Sequence, residues 1–515
     1  MMVNIGIITA LLVAFAEGFH SIPACSTSSL HVGRRQLTQF RASADNTPDV
    51  GDELHQTFNS KNFRGGGDPE ASKRKMMLFA LPALGIFLTN PLLSNIDNAF
   101  VGRTVGTAGL AALSPATLCT DQVLYLFSFL GRATTGLVSR AYAGEKRDVE
   151  AAREAASAPL TVSIFIGLVL SILYTFFTPR LLSILKVNPA LVSKASSYIY
   201  WRGVIAWAAL AQTCCLQTIL ATRDAVTPLK IVTTAAALNV VGDYLFCVNP
   251  LRWGCAGAAA ATSIATLLSS SLMLRALKSK NLLPKIRIPT KKEILSLAEF
   301  MGPLMMITIT RLLGFVYMQR AAMALGDLNT LAAFQLCTNL VSFFLLFGEP
   351  LSQISQTKLP YLVDNEDGEG LLANLKSLLT LGVGASVTVG AIAFTVVRFF
   401  TGVFTADPAV QAVASTAAPS VFLMVSNAIM AVTVDGAMLA SRDFGWILFM
   451  GLSTFVAQLV ILTRATTLNA IFATFIFRLG VYGPACIIRA LLGRGAIGRA
   501  ITKTWREKRS EPGDA

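Results

Sequence analysis

The sequence predicts an all-α membrane protein with twelve transmembrane helices, arranged in two six-helix lobes that are related by an internal repeat. The chain of 515 residues is 53% hydrophobic and only 14% charged. A soluble protein of ordinary composition does not carry so many apolar residues. About 20 consecutive apolar residues suffice to cross the hydrocarbon core as a helix, and such runs follow one another along most of the chain.

The internal repeat rests on two echoes in the sequence. Residues 220–224, Leu-Ala-Thr-Arg-Asp, return 219 residues later as residues 439–443, Leu-Ala-Ser-Arg-Asp. A second echo joins the segment from Gly106 to the segment from Gly326, each of which runs into Leu-Ala-Ala. In transporters built from parallel repeats, the binding sites lie near the bilayer midplane. The repeat therefore favours a transport protein with a site of this kind.

Residues 1–75 precede the first predicted span, and we interpret them as a removable presequence with a disordered tail. Residues 1–16 have an apolar core and end in Ala-Phe-Ala, which is typical of a secretory signal; a short anchor helix is the alternative. Residues 21–44 are rich in Ser, Thr and Arg and contain no acidic residue, as transit peptides do. This two-part pattern resembles the presequence of algae with secondarily acquired plastids. It predicts the plastid envelope, with the plasma or vacuolar membrane as the alternative.

Twelve apolar runs follow, six in each half of the chain. The N-terminal lobe, residues 76–277, has predicted spans at 76–100, 109–139, 157–178, 194–219, 228–248 and 254–275. A hydrophilic linker is predicted at 278–298. The C-terminal lobe, residues 299–493, has predicted spans at 299–323, 330–357, 377–399, 410–437, 444–462 and 467–492, and a basic tail is predicted at 494–515.

The basic residues are concentrated in the connections that follow even-numbered spans and in the C-terminal tail. By the positive-inside rule, these connections and both termini face the cytosol-equivalent side of the membrane, which is the stroma in a plastid. The net charge of +14 is thereby explained by orientation in the bilayer, and no nucleic acid partner is predicted. We expect a monomer that transports a small organic solute.

The predicted membrane core lacks the residues that most enzymes need. The only histidines, His20, His31 and His55, precede the first span, so the core has no imidazole for metal ligation, nucleophilic catalysis or proton relay. No Gly-rich phosphate loop with a lysine is present, which argues against ATP-driven transport. The sequence predicts neither an enzyme nor a bound cofactor, and any proton coupling would depend on carboxylates.

Two predicted spans of the N-terminal half carry a carboxylate with an amide on the same helix face. Asn239 and Asp243 are four residues apart in the fifth span, and Asn90 and Asp97 are seven apart in the first span. A charged side chain at the bilayer centre costs about 2.5–3.5 kcal/mol on insertion scales and usually marks an ion site. The alternatives are a structural hydrogen bond for Asp243 and an ion pair with Arg103 for Asp97.

The repeat provides an internal control for these carboxylates. A shift of 219 residues from Asn239 and Asp243 leads to Gln458 and Leu462 in the C-terminal half. Carboxylates with a purely structural role would be expected in both halves. The asymmetry therefore favours a cation site in the N-terminal lobe alone.

Three segments resemble the multidrug and toxic compound extrusion (MATE) family, especially its DinF-like branch and the plant plastid members. They are Ile-Asp-Asn-Ala-Phe-Val-Gly-Arg at 96–103, the Asn239 and Asp243 pair, and Gly-Ala-Ala-Ala-Ala-Thr at 257–262. The resemblance covers about residues 76–495. It implies the MATE fold, with two six-helix lobes around a central cleft, and antiport of an organic solute against H⁺ or Na⁺.

The resemblance also implies which residues handle the coupling cation. The family's carboxylates map onto Asp97 and Asp243, where Na⁺ would also bind, and its amides map onto Asn90 and Asn239. A threonine of the sixth span maps onto Thr262. The tyrosine that DinF-like members carry one turn before the first aspartate is replaced here by Leu93.

Five further charged residues fall within predicted spans, and two interpretations remain open for them. They are Asp121, Arg132, Arg311, Glu349 and Asp435. They could line a substrate cleft, in which an arginine would hold an aromatic carboxylate, or they could neutralise one another as ion pairs. Two rival functions also remain: a lipid-linked oligosaccharide flippase of the same wider superfamily, and a membrane scaffold that does not transport.

Overall fold

The computed structural model describes residues 69–142, 148–184, 187–248, 251–405 and 407–510, and these residues are nearly all helical. Most of the predicted presequence lies outside the described residues. The first helix begins at Pro69 and therefore includes the last residues of that predicted segment.

In the described part of the N-lobe, nine α-helices make up the first six spans. They are α1 (Pro69–Thr104), α2 (Thr107–Thr117), α3 (Val123–Leu126), α4 (Phe129–Ala141), α5 (Val149–Ile184), α6 (Pro189–Val204), α7 (Ala206–Ala221), α8 (Val226–Asp243) and α9 (Cys255–Ser279). Helices α2 to α4 form the second span and include a π-helical turn at Leu118–Gln122. Helices α6 and α7 form the fourth span, which is bent by 49°.

Nine further α-helices are described in the C-lobe. They are α10 (Lys291–Ala324), α11 (Leu328–Leu345), α12 (Glu349–Asp364), α13 (Gly368–Phe399), α14 (Pro408–Thr416), α15 (Ala418–Ala440), α16 (Phe444–Leu462), α17 (Leu468–Leu491) and α18 (Gly495–Ser510). Helices α11 and α12 form the eighth span. By length and hydropathy, eleven described helices can cross a bilayer, or twelve when α6 and α7 count as one span, which confirms the predicted fold class.

Several predicted boundaries differ from the observed ones for local reasons. The linker predicted at 278–298 is partly helical, because Thr290 and Glu293 form a capping box that starts α10 at Lys291. The tenth predicted span, 410–437, contains the short helix α14 and most of α15.

The predicted C-terminal tail also contains a helix that packs back onto the C-lobe. Ile497 and Ala500 of α18 are buried, and the backbone N–H of Gly368 donates to Thr504 Oγ1 over 3.2 Å. Helix α18 thereby covers the start of α13. The apolar residues on one face of a basic segment are what allow this docking.

The internal repeat is visible in the backbone as well as in the sequence. Gly106 and Gly326 both have φ of +75°, and Arg223 and Arg442 have φ of 68° and 54°. A residue in the left-handed region is a common way to end a helix. Both sequence echoes therefore mark equivalent helix ends. The echo at Gly106 and Gly326 follows spans one and seven, and the echo at Arg223 and Arg442 follows spans four and ten.

The aspartates that follow these two arginines hold equivalent helix ends together. Asp224 accepts hydrogen bonds from backbone N–H groups at the start of α8 and lies 2.9 Å from the ammonium of Lys280, just after α9. Asp443 precedes α16 and lies 2.7 Å from Arg489 Nε on α17. Burial alone would raise the pKa of the Asp224 carboxyl, but the hydrogen bonds from Thr227 and the charge of Lys280 hold that pKa below its usual value.

The two lobes share a buried core at one side of the membrane and have separate cores at the other. Residues near the even-numbered connections form one apolar cluster that includes Leu220 and Leu277 of the N-lobe together with Leu359 and Ile447 of the C-lobe. Towards the odd-numbered connections, each lobe has its own cluster. The lobes are therefore packed against each other on the even side, which is the predicted cytosol-equivalent face, and have separate apolar cores on the odd side.

Candidate functional site

Four polar side chains meet inside the N-lobe, where α1, α8 and α9 pack together. Asp97 lies on α1, Asn239 and Asp243 lie one turn apart on α8, and Thr262 lies on α9. Asn239 and Asp243 are completely buried, and Asp97 is 7% exposed. Four of the five residues predicted to form a cation cluster are thus brought together. We call these four residues the N-lobe cluster.

Thr262 connects the amide of the N-lobe cluster to one of its carboxylates. The Thr262 hydroxyl lies 3.2 Å from Asp97 Oδ2 and accepts a 3.2 Å hydrogen bond from Asn239 Nδ2. The same hydroxyl lies 2.9 Å from the carbonyl oxygen of Ala258, one turn earlier in α9. Because a hydroxyl has a single proton, it can donate to Asp97 or to Ala258 but not to both. The hydrogen bond to Asp97 can therefore be exchanged when the charge of that carboxylate changes.

The carboxyl groups of Asp97 and Asp243 lie within hydrogen-bonding reach of each other. Two ionised carboxylates cannot donate to one another, and in that state Asp97 Oδ1 and both oxygens of Asp243 are buried without a donor among the described residues. The Asn239 Oδ1 atom is buried in the same way. One proton would supply the missing donor between the carboxyls, and a hard cation such as Na⁺ would use the same oxygen atoms as ligands.

Asn90, the fifth predicted cluster residue, stands apart from the others. It lies two turns before Asp97 on α1, and its side chain is exposed. Pro91 follows it directly and interrupts the hydrogen bonding of the helix at this point. Among the described residues, the N-lobe cluster is formed without Asn90.

One of the predicted cleft residues in the N-lobe pairs with an arginine that the sequence analysis did not single out. Asp121, in the π-helical turn of the second span, lies 2.5 Å from Arg202 Nη2 on α6. Arg202 also acts electrostatically on Asp97. The signal was present in the sequence, because Arg202 falls inside the fourth predicted span.

A second ion pair joins the two lobes to each other. Arg132 on α4 lies 3.2 Å from Glu349 at the start of α12, and both side chains are about one fifth exposed, at 22% and 20%. Close by, Gln353 Nε2 on α12 donates to Gln217 Oε1 on α7 over 3.0 Å. The polar contacts across the cleft therefore run between the second, fourth and eighth spans.

A third ion pair lies within the C-lobe. Arg311 on α10 is paired with Asp435 on α15, whose second oxygen accepts a hydrogen bond from the Tyr482 hydroxyl on α17. All five predicted cleft residues are thus found in ion pairs. Their charges are neutralised locally, as the second interpretation of the sequence expected.

A cavity of about 640 Å³ lies elsewhere in the C-lobe, between α13, α15, α17 and α18. Its lining is mainly apolar, with Lys376 and Trp505 among its residues. The N-lobe cluster and the three ion pairs contribute no residue to it, so it is separate from the charged sites.

Residues 82–245 match the MatE family model, and this stretch contains Asp97, Asn239 and Asp243 of the N-lobe cluster. This stretch of the chain is a MATE family domain. Protein DETOXIFICATION 47, chloroplastic, from Arabidopsis thaliana is 28% identical over 435 residues, which cover 82% of this chain and 79% of that protein. DNA damage-inducible protein F of Escherichia coli is 30% identical over 208 residues, 40% of this chain and 45% of that protein.

Solved structures show the same fold as this chain. The MATE transporter VcmN of Vibrio cholerae aligns with a TM-score of 0.72 at 15% identity, over 84% of this chain and 98% of VcmN. A MOP superfamily transporter from Pyrococcus furiosus aligns with a TM-score of 0.73 at 15% identity, over 90% of this chain and all of that chain. The predicted resemblance to MATE transporters is confirmed, and the chain is a multi-pass membrane protein.

Proposed function

We propose that the chain is a secondary-active antiporter, working as a monomer, that exports an organic solute against H⁺ or Na⁺ through the N-lobe cluster. The observation that carries this proposal is the set of buried oxygen atoms of Asp97, Asn239 and Asp243 that have no donor among the described residues. Uncompensated buried oxygens are costly unless a cation or proton satisfies them. A membrane helix retains such an arrangement where an ion binds and leaves.

The pairing of the two carboxyls supports a proton as the coupling ion. Loading one proton would create a hydrogen bond between Asp97 and Asp243 and reduce the repulsion between them. The Thr262 hydroxyl could then donate its hydrogen bond to the Ala258 carbonyl instead of to Asp97. This exchange would remove a contact between α1 and α9. Na⁺ is the second candidate, because the amide and hydroxyl oxygens beside the carboxylates are suitable ligands for it.

The solute that we propose is a drug-like cation or an aromatic metabolite. Arg132 and Arg311, which could have held a carboxylate in the cleft, are both engaged by carboxylates of the protein. Their pairing weakens the case for them as anion-binding residues. It equally weakens the alternative of a lipid-linked oligosaccharide flippase, which would need unpaired basic residues along the cleft.

We also propose that the protein resides in the plastid envelope. Two Arabidopsis relatives, Protein DETOXIFICATION 47 and Protein DETOXIFICATION 44, are named as chloroplastic. A fluorescent fusion to residues 1–75 should enter the plastid. Secretion of the fusion, or its retention in the endoplasmic reticulum, would contradict this assignment.

Transport in proteoliposomes tests the proposed antiport directly. The full chain should drive uptake of a cationic dye or an aromatic acid under an imposed pH gradient or an imposed Na⁺ gradient, which identifies the ion. Asp243→Asn should reduce gradient-driven transport at least tenfold, whereas Glu299→Gln, which removes an exposed carboxylate of the C-lobe, should not. Uptake by Asp243→Asn at the wild-type rate would disprove the role of the N-lobe cluster.

A further inference from the structure

The C-lobe contains a buried guanidinium in the part of the fold that corresponds to the N-lobe cluster. Arg478 on α17 is 6% exposed and lies against α10 and α16, which are the twelfth, seventh and eleventh spans. The N-lobe cluster lies between the first, fifth and sixth spans, which are the equivalent helices of the repeat. Gln458 on α16, the counterpart of Asn239, is completely buried beside Arg478.

The contacts of Arg478 use only one of its three nitrogen atoms. Its Nη1 donates to the Thr310 carbonyl and to Gln458 Oε1, each over 3.1 Å. Among the described residues, no acceptor binds Nε or Nη2, and neither of these atoms is fully enclosed, whereas the Gln458 Nε2 atom is enclosed and has no acceptor. The N–H groups of Nε and Nη2, two of which lie parallel on one edge of the guanidinium, therefore remain without a partner among the described residues.

Among the described residues, no carboxylate is paired with Arg478. Both oxygens of Asp435, the buried carboxylate of this lobe, are taken by Arg311 and Tyr482. Arg311 itself acts on Arg478 as a like charge. The Phe455 ring, with its centroid 5.3 Å from the guanidinium carbon, offers partial compensation through its π face. A buried arginine remains charged at any physiological pH, so the C-lobe has a surplus positive charge.

The backbone beside Arg478 leaves room for this arrangement. A Cβ atom on Gly314 would lie 2.5 Å from Arg478 Nη1 and 3.2 Å from Gln458 Oε1. Glycine at this position therefore allows the guanidinium to approach α10 closely through Nη1. The orientation of the Gln458 amide is set by the same contact, because its oxygen faces Nη1.

We propose that the C-lobe binds a monovalent anion at the free Nε and Nη2 edge of Arg478, with the Gln458 amide beside it. This edge presents two parallel N–H groups, which match the two oxygens of a carboxylate and also attract a halide. The two lobes then bind charges of opposite sign at equivalent places: a cation between spans one, five and six, and an anion between spans seven, eleven and twelve. This site goes beyond the proposed antiport and does not depend on it.

Anion binding is tested by the thermal stability of the purified full chain in detergent, because a ligand that binds only the folded state raises the unfolding temperature. Sodium benzoate and sodium chloride are compared at about 100 mM with sodium HEPES at equal ionic strength, because the HEPES anion is a bulky sulfonate and is neither a carboxylate nor a halide. The wild-type protein should gain about 2 °C or more in at least one of the first two salts. A response to benzoate alone assigns the site to organic acids, and a response to chloride assigns it to small anions in general.

Two substitutions separate this site from non-specific salt effects. Gln458→Glu places a carboxylate beside Arg478, so this variant should be more stable than the wild type in the HEPES salt and should lose the response to benzoate and chloride. Arg464→Gln, which removes an exposed arginine of the same lobe, should keep the response. Equal unfolding temperatures of the wild type in all three salts, or an undiminished response in Gln458→Glu, would overturn the proposal. No ion gradient is needed, so failure of the proposed antiport would not affect the outcome.

Discussion

Asn239 and Gln458 are 219 residues apart in the chain, lie on the equivalent helices α8 and α16, and are both completely buried. The amide of Asn239 donates to Thr262, which contacts a carboxylate. The side-chain carbonyl of Gln458 accepts from a guanidinium. The same position of the repeat therefore lies near a carboxylate in the N-lobe and beside a guanidinium in the C-lobe. The two lobes share their helix arrangement but differ in the charge of their buried side chains.

The Thr262 hydroxyl should matter for coupling because it joins Asn239 to Asp97. Thr262→Val should lower gradient-driven transport roughly tenfold or more, because a hydrogen bond to a charged group is worth about 1.5–3 kcal/mol. Thr266 is one turn further along α9, and its hydroxyl bonds only to the Thr262 carbonyl, so Thr266→Val is the matched control. Equal losses in the two variants would point to a general effect on α9.

Arg311 and Asp435 should behave as a structural pair. Arg311→Gln leaves Asp435 buried without its cation, which typically costs about 3–5 kcal/mol in the free energy of unfolding. The double variant Arg311→Gln with Asp435→Asn should recover much of this loss, because no buried charge is left over. Thermal unfolding in detergent measures both. An unfolding temperature of the single variant equal to that of the wild type would refute this role.

Gly436 should be required for the close packing of α15 against α12. A Cβ atom at this position would lie 2.5 Å from the Ser352 carbonyl oxygen, so Gly436→Ala should lower the free energy of unfolding by about 1–3 kcal/mol. Gly451 on α16 has no atom within 4 Å of the equivalent position. Gly451→Ala should therefore be neutral or slightly stabilising, and unfolding measurements that give the reverse order would contradict the packing described for α12 and α15.

Arg140 should help to keep the lobes closed on the even side. From α4 of the N-lobe it is paired with Asp364 on α12 and donates to the Ala440 carbonyl on α15. Arg140→Ala should increase the population in which this side is open, because contacts specific to the closed state are lost. Spin labels at Glu154 and Glu299 should then show longer distances, with Arg464→Ala as control. An unchanged distance distribution would exclude this role.

Asp224 should stabilise the protein at neutral pH but not in strong acid. The lowered pKa of its carboxyl in the folded state means that the unfolded chain binds a proton more readily, so the stabilisation is present above the usual aspartate pKa of about 3.9. It is lost as the pH falls through the lower pKa of the folded state. The difference in unfolding temperature between the wild type and Asp224→Asn should therefore shrink in strong acid. A constant difference down to pH 2 would argue against an ionised Asp224.

The sequence predicted the elements of this fold that depend on hydropathy and on local patterns. The spacing of Asn239 and Asp243 placed both on one face of α8, and the repeat marked the helix ends at Arg223 and Arg442. Contacts between helices distant in the chain could not be read in the same way. Asn90 lies on the same predicted face of α1 as Asp97, but its side chain is exposed. Helix periodicity predicts which residues share a face, but it does not predict which neighbouring helix covers each turn.

Contacts between distant parts of the chain also determine which ion pair each charged residue within a span forms. Asp121 and Arg132 were both predicted in the second span, yet each pairs with a different helix. Arg202 and Arg478 were overlooked, although both stand inside predicted spans. A count of every charged residue within an apolar run would have found them.

Of the described residues, the buried charged ones that take part in no ion pair are negative in the N-lobe and positive in the C-lobe. Once Arg202 is matched with Asp121 and Arg311 with Asp435, Asp97 and Asp243 remain in the N-lobe and Arg478 in the C-lobe. An electric field is therefore directed from the interior of the C-lobe towards the interior of the N-lobe. A zwitterion or a strongly dipolar solute would take one orientation in that field, and neutralisation of the aspartates by a cation would weaken the preference.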